Sequence, residues 1–538
     1  MKTHMLFFAV LISWSLLSAD TNVTSVTSNQ TWNLAGSPYI VSGEPYIYGN
    51  ATVTIEAGVQ VRFNAGASLR LGNYSGGNII ANGTADNPVI FTANTVSPTP
   101  GYWNYILSTG WCWDTEFTHC IFEYGGSSYG HIYVEGGDPE FNHCIFRYSP
   151  NYGLYGNNGP QQQHCINDCS FTNNAKTASL RTQYISALGS NNQYLGNTDN
   201  RVHCPGGTIS ASSTWTAQDT PIYFLADLTG GYGTAPTTVI PGGSVLEFAA
   251  GTRIYLASGD VLQATGVTFR GAQPTPGYWK GFYFYYNAGN SLISGCTIRD
   301  AGYSDHDALH FENPASIVTG CTITNCAAKG IWMTYNCLQS ISANIITGCG
   351  SYPLSLMDES VRVLGEGNDF SGNTLDMVEV RSWSIQTSGV WRNPGVPYLL
   401  TGNLSIHNAT PFPHIQIQPG TVVMLPHQGR IQIGNIYGHT QGSLSATGVT
   451  FTRSSPTATP YGLYFDYFIE GSQCVFTDCV FEYLGQSQTI GAVHVLGQGP
   501  SFSGCIFRSN PGPAITNQQG GKLTATSCSF TDNGSYPI

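Results

Sequence analysis

A short phrase returns nine times along this chain: an apolar residue, two small or polar ones, then Cys-x-Phe or Cys-x-Ile, then a turn. The copies are Phe117-Thr-His-Cys120-Ile-Phe122, Phe141-Asn-His-Cys144-Ile-Phe146, Ile166-Asn-Asp-Cys169-Ser-Phe171, Ile293-Ser-Gly-Cys296-Thr-Ile298 and Val318-Thr-Gly-Cys321-Thr-Ile323. They continue with Ile341-Ser-Ala-Asn344-Ile-Ile346, Phe476-Thr-Asp-Cys479-Val-Phe481, Phe502-Ser-Gly-Cys505-Ile-Phe507 and Ala525-Thr-Ser-Cys528-Ser-Phe530. Within each cluster of three the spacing is 23 to 26 residues. A fixed period of that size means one unit stacked on itself, a solenoid whose coils bury one another. The Cys and the residue two positions on share parity, so both point to one face of a strand. Stacking then sets Cys over Cys and Phe over Phe inside an all-β parallel coil of about 22–26 residues per turn.

Composition agrees. Only 9% of residues are charged, while Gly numbers 64 and Tyr 31. That suits many short strands joined by tight turns, and not long surface helices, which favour Glu, Lys and Arg. A net charge of -12 leaves no basic footprint for nucleic acid and gives no electrostatic help to an anionic partner. A neutral partner is expected.

The N-terminus reads as an export signal. Lys2 and His4 precede an apolar run from Met5 to Leu17, and Ser18-Ala19 offers a cleavage point. Residues 1–19 are therefore expected to be a signal peptide, and the mature chain to be secreted or held at the cell surface. No later segment approaches about 20 consecutive apolar residues, so no membrane span is expected after signal removal. Eight Asn-x-Ser/Thr sequons begin at Asn22, Asn29, Asn50, Asn73, Asn82, Asn403, Asn408 and Asn533.

A longer period overlies the short one. Trp32, Trp215 and Trp391 each precede a proline by six residues. Alternating strands follow in the same order each time, such as Leu69-Arg-Leu71, Ile254-Tyr-Leu256 and Ile431-Gln-Ile433. Next come Pro98-Thr-Pro-Gly-Tyr-Trp103, its duplicate Pro274 to Trp279, and the looser Pro456 to Gly462, before three Cys-phase coils. This divides the chain into a lead at 20–31 and modules at 32–214, 215–390 and 391–538, forming one continuous or near-continuous solenoid. The third module stops soon after Cys528, so the chain is expected to be a piece of something longer.

With these motifs in view, the chain resembles the right-handed parallel β-helix proteins of the pectin-lyase-like superfamily, and in particular exported multi-module bacterial surface proteins. The residues carrying the likeness are the Trp and Pro-Tyr openings, Thr54-Ile-Glu-Ala-Gly58-Val-Gln-Val61, Asn82-Gly-Thr-Ala-Asp-Asn-Pro88-Val-Ile-Phe91 and the Cys-x-Ile coils. The resemblance implies the fold. It leaves activity open, because this fold hosts lyases, hydrolases, adhesins and plain scaffolds.

Three kinds of residue carry candidate chemistry. Eight of the fifteen cysteines occupy the ladder phase, where Asn344 substitutes at one coil; packed thiols and disulfide bridges both fit. Outside the ladder, Cys326 and Cys349 form the favoured bridge. The aromatics Tyr102, Trp103, Tyr278, Trp279, Tyr461 and Tyr464 recur at matching module positions, and outward rings in register would stack on sugars. Their alternative role is packing. The stretch Asp305-His306-Asp307-Ala-Leu-His310 suggests a catalytic group of Asp305, Asp307 and His310, since polysaccharide hydrolysis uses paired carboxyls. Modules one and three lack those acids, and a solvated turn explains them as well.

Asn197-Thr-Asp199 resembles part of a polygalacturonase signature, but its counterpart Asn373-Thr-Leu375 lacks the aspartate, which marks it as module punctuation. No paired Cys-x2-Cys motif points to zinc, and no metal or cofactor is expected. The reading that fits best is a non-catalytic β-helical surface or matrix protein, engaged in adhesion or in binding neutral glycans. A polysaccharide lyase or glycoside hydrolase, and a purely structural spacer, are the alternatives.

Overall fold

The structure, a computed structural model, describes residues 20–538 except 232, 258, 313–314, 336–337, 436–437, 467–472, 487–488, 519–521 and 535–538. The expected signal peptide therefore lies outside the described residues. Almost every element is a strand of two to six residues, and the strands coil about 19 times in all. The chain divides into two compact units, Met1–Leu180 with Ala187–Val202, and Arg181–Ser186 with His203–Ile538.

In the first unit each coil crosses three walls. One runs from Thr21–Val23 and Tyr39–Val41 through Val89–Ala93 and Cys120–Glu123 to Ser170–Thr172. The second runs from Tyr46–Ile47 and Leu69–Leu71 through Gly130–Val134 to Lys176–Leu180. The third runs from Gln30–Trp32 through Glu116–Thr118 to Ile166–Asn167. Pairing is parallel, and the inward residues form ladders. Phe91, Phe122, Phe146 and Phe171 stack ring on ring at 4.8, 5.0 and 4.7 Å. Each such ring, fully buried, contributes about 1.5–3 kcal/mol by leaving water, and stacking adds to it.

The segment 20–31 is not a lead outside the coil. Thr21–Val23 already pairs with Tyr39–Val41, and after a break at Thr24-Ser25 the buried Val26 bridges Ile47. The step of 22–26 residues holds for the Cys coils, as between Phe122, Phe146 and Phe171. It fails where the Gly-Tyr-Trp turn is inserted: Leu69 pairs with Ile106 and Ile80 with Glu116.

In the second unit, one wall carries fourteen strands from Gly207–Ile209 to Ser529–Thr531. Its early members include Arg253–Leu256, Gly281–Phe284, Leu309–Phe311, Ile331–Met333 and Leu354–Met357. Later members are Val378–Arg381, Tyr398–Leu400, Val422–Leu425 and Thr450–Arg453. This order shows a phase slip. Arg253–Leu256 is the Ile-x-Leu strand of module two, but the equivalent Arg430–Ile433 of module three lies on a different wall. Its place is taken by Val422–Leu425, the counterpart of Val245–Phe248. Module three thus restarts one wall on, and equivalent side chains share a wall only within a module.

The slip follows one coil that forms no full strand. After Leu354–Met357 the chain makes a 3-10 turn, Asp358–Val363, and then pairs through isolated bridges, Leu364 with Ile341 and Asp369 with Ile345, and through the side chains of Asn368 and Asn373, which bond backbone groups of the coil before. It returns as Val378–Arg381 directly on Leu354–Met357.

The fourteen described cysteines are all free thiols. Packed thiols are therefore the outcome, and the candidate Cys326–Cys349 bridge is not formed. These two lie in register on adjacent parallel strands, pointing the same way, and the Cys326 thiol donates to the Thr324 carbonyl at 3.4 Å.

Candidate functional site

Trp103 and Trp279 do not face outward. Both are fully buried, stacked on Phe63 at 4.2 Å and on Phe248 at 4.3 Å. Their indole N–H groups donate to the carbonyls of Glu123 (2.9 Å) and Arg299 (2.8 Å). Residues 101–104 form a turn, where strand parity gives no guide to side-chain direction, and the turn folds the indole under the coil. Tyr102, Tyr278 and Tyr461 are half-buried on the same turns, Tyr102 donating to the Asn94 carbonyl at 3.4 Å. Tyr464 is half-buried between neighbouring coils, with His494 stacked on it at 4.2 Å and Arg430 over its ring at 5.4 Å.

The richest outward surface lies on the long wall of the second unit. Tyr255, Tyr283, His310, Trp332, Ser355 and Glu379 occupy one register position on six successive strands. Tyr255 and Tyr283 stand 5.6 Å apart, Tyr283 and His310 4.5 Å, and His310 and Trp332 4.3 Å. Arg253 lies over both tyrosines, at 4.8 and 5.9 Å, and its Nε donates to Asp227 at 3.2 Å. Lys329 and Arg381 lie over Trp332 at 5.1 and 5.4 Å. Cations above aromatic faces are held by the ring quadrupole, about 0.5–2 kcal/mol each.

Carboxyl groups thread through this ladder. Asp307 Oδ2 is 3.7 Å from His310 Nδ1, and the Tyr283 hydroxyl donates to Glu312. Glu379 accepts from the Ser355 hydroxyl at 2.5 Å and lies 3.9 Å from Lys329. Burial pushes Asp307 up to about 7, against the pull of Lys329. Burial pushes His310 down to about 4. At neutral pH the imidazole is therefore neutral and Asp307 is partly protonated, able to donate. The Trp332 indole N–H is buried without a hydrogen-bond partner.

The structure thus brings Asp307 and His310 together; the side chain of Asp305 lies outside the described residues. Lys329, Trp332, Glu379 and Arg381 were missed by sequence reading, because they join the site only through coil stacking. The signal was present: each sits on or beside a strand stacked on Leu309–Phe311 or its successors.

The first unit has a related surface with a different character. Tyr105, Tyr129, Tyr133, Tyr152 and Tyr155 form a patch, with Tyr129 and Tyr133 at 4.4 Å and Tyr133 and Tyr155 at 5.5 Å. Lys176 lies over Tyr152 at 5.0 Å. Module three repeats the position as Gln432, Tyr464, His494 and Thr516. Rings recur in every module, whereas the mixed acid and base cluster belongs to module two. Among the described residues no three of His, Cys, Asp and Glu converge as metal ligands. Among them, too, no helix is long and apolar enough to cross a membrane.

Asp199, in the signature-like Asn197-Thr-Asp199, is ion-paired to Arg201 at 2.7 Å. Asn197 and Asn373 both donate to inter-coil carbonyls, Phe171 at 2.7 Å and Ile346 at 2.8 Å, a structural duty.

Comparison with known families bears on the fold. Residues 247–409 match the family model for the right-handed β-helix region, and residues 24–133 match that for the pectate-lyase-like β-helix domain. No curated protein sequence matches. The chain is a right-handed parallel β-helix protein.

Proposed function

We propose that this chain is an exported β-helical surface or matrix protein that binds polysaccharide along the outward ladder of module two. The observation that carries the reading is the spacing of Tyr255, Tyr283, His310 and Trp332, one ring per coil at 4.3–5.6 Å. Coils repeat at about 4.8 Å, close to the length of one pyranose residue, so an extended glycan lying along the wall meets a ring at each sugar. Charges on this face pair with one another, Arg253 with Asp227 and Lys329 with Glu379. The face therefore presents little unbalanced field, which suits a neutral chain. Retention on a glycan array tests the reading: the wild type holds a neutral glycan, and Trp332→Ala weakens retention at least tenfold.

A second reading, polysaccharide cleavage, is favoured by one observation: Asp307, His310, Glu312, Lys329 and Glu379 gather in a single module. There Asp307 would act as the general acid. Reducing-end and unsaturated-product assays on the same glycans decide between the two. Cleavage predicts product that falls as pH rises through about 7, where Asp307 loses its proton, and that vanishes in Asp307→Asn. Binding alone predicts retention with no product.

A further inference from the structure

The ladder rings of module two pack against one another. The first unit holds aromatics of another kind. Tyr74, Trp111 and Trp113 are 91%, 54% and 53% exposed. They make no ring contact with another aromatic among the described residues. Their turns are stacked at one corner. Thr109 donates through its hydroxyl to the Leu71 carbonyl at 2.9 Å, joining the turn at 109–113 to the one at 72–76. The Asp138 N–H donates to the Cys112 carbonyl at 3.1 Å, laying the turn at 135–138 on the other side. Cys112 is fully buried, while Trp111 and Trp113 on either side of it are each more than half exposed.

The stretch between Arg70 and Arg147 is acidic; Arg70 is paired with Glu44, and Glu123 with Arg147. Between Arg70 and Arg147 the sequence contains no Lys or Arg, but it contains Asp86, Asp114, Glu116, Glu123, Glu135, Asp138 and Glu140. Asp114, Glu116 and Glu135 are exposed and flank the two tryptophans. Glu116 and Glu140 are directly paired on adjacent strands, an arrangement that repels until a cation arrives. Exposed tryptophans with exposed carboxylates close by in the chain are the chemistry that recognises an ammonium group, through the ring quadrupole and the anionic charge together.

We propose that this corner of the first unit is a second binding platform, built from Trp111, Trp113 and Tyr74, for a polysaccharide carrying free amino groups, a glucosamine polymer. The apolar faces of its sugars lie on the indoles, and its ammonium groups meet Asp114, Glu116 and Glu135. An anionic chain or anionic membrane is disfavoured by the same carboxylates.

The test is calorimetric titration of the full chain with a fully deacetylated chito-oligosaccharide and with its N-acetylated counterpart. The amine form should bind at least tenfold tighter and weaken as salt is raised. Combining Trp111→Ala with Trp113→Ala should cost at least tenfold, and combining Asp114→Asn with Glu135→Gln, which keeps the rings, should cost severalfold. Equal binding of the two oligosaccharides would overturn the proposal, and so would absence of binding or indifference to both pairs of substitutions. Because the probe differs from the neutral glycans of the array, failure here leaves the module-two reading standing, and the reverse holds.

Discussion

The thiol of Cys144 donates to the Phe117 carbonyl one coil back at 3.2 Å, and Cys321 and Cys505 repeat this with Ile293 and Phe476 at 3.4 Å. A residue at this corner must be small, buried and able to donate, which explains both the Cys phase and its exception. Asn344 donates to Val318 at 3.0 Å and accepts from the Cys321 N–H at 2.9 Å. Asn344→Ala should therefore cost about 1–3 kcal/mol, read from denaturant midpoints, because it leaves buried backbone groups unpaired. The thiols of Cys144 and Cys169 should stay silent to a water-soluble thiol reagent until the chain unfolds, since both are buried and burial pushes them well above the ordinary thiol range.

His131 is the acid-labile point. It is fully buried against Trp103 and pushed down from 6.5 to about 3 by burial, where its counterparts are Ala308 and Ala492. The unfolded chain takes up that proton first as pH falls. Stability is therefore lost below 6.5, about 1.4 kcal/mol per unit, until pH reaches about 3. Denaturant titrations at pH 7 and pH 4.5 should show a smaller pH difference for His131→Ala than for the wild type. The Cys phase was legible in the sequence because strand parity is strict. Trp103 and Trp279 were misread because they sit in turns, where parity has no meaning.

At the scale of elements the unit is the coil. Phe122 pairs with Phe146 and Ile121 with Ile145, so removing residues 121–144 joins Cys120 to Ile145 with each strand still on its wall. That excision should keep the β-sheet circular dichroism and a cooperative melt, as nearest-neighbour stacking requires. Removing 121–132 alone should abolish both, since it puts every following strand on the wrong wall. Repeat spacing made the coils readable. The wall slip before module three was not, because residues 358–377 form no strand, and their repeated Gly-Asn-Thr marks a module boundary without saying on which wall the next strand falls.

For the molecule as a whole, the proposed function rests on residues that stacking alone unites. Asp307 and His310 are neighbours in sequence, and their pairing could be guessed. Lys329, Trp332, Glu379 and Arg381 come from later coils, and no local motif announces them. The wall slip also bears on the expected aromatic strips. Tyr283 and Tyr464 hold equivalent places in modules two and three yet lie on different walls, so the second unit carries separate ladders and not one strip. The most direct measurement is glycan-array retention of the wild type beside Trp332→Ala and Tyr283→Ala. The account predicts that the wild type holds a neutral polysaccharide and that both variants lose it at least tenfold while melting as the wild type does. A wild type that holds no glycan, or variants that hold it unchanged, would contradict it.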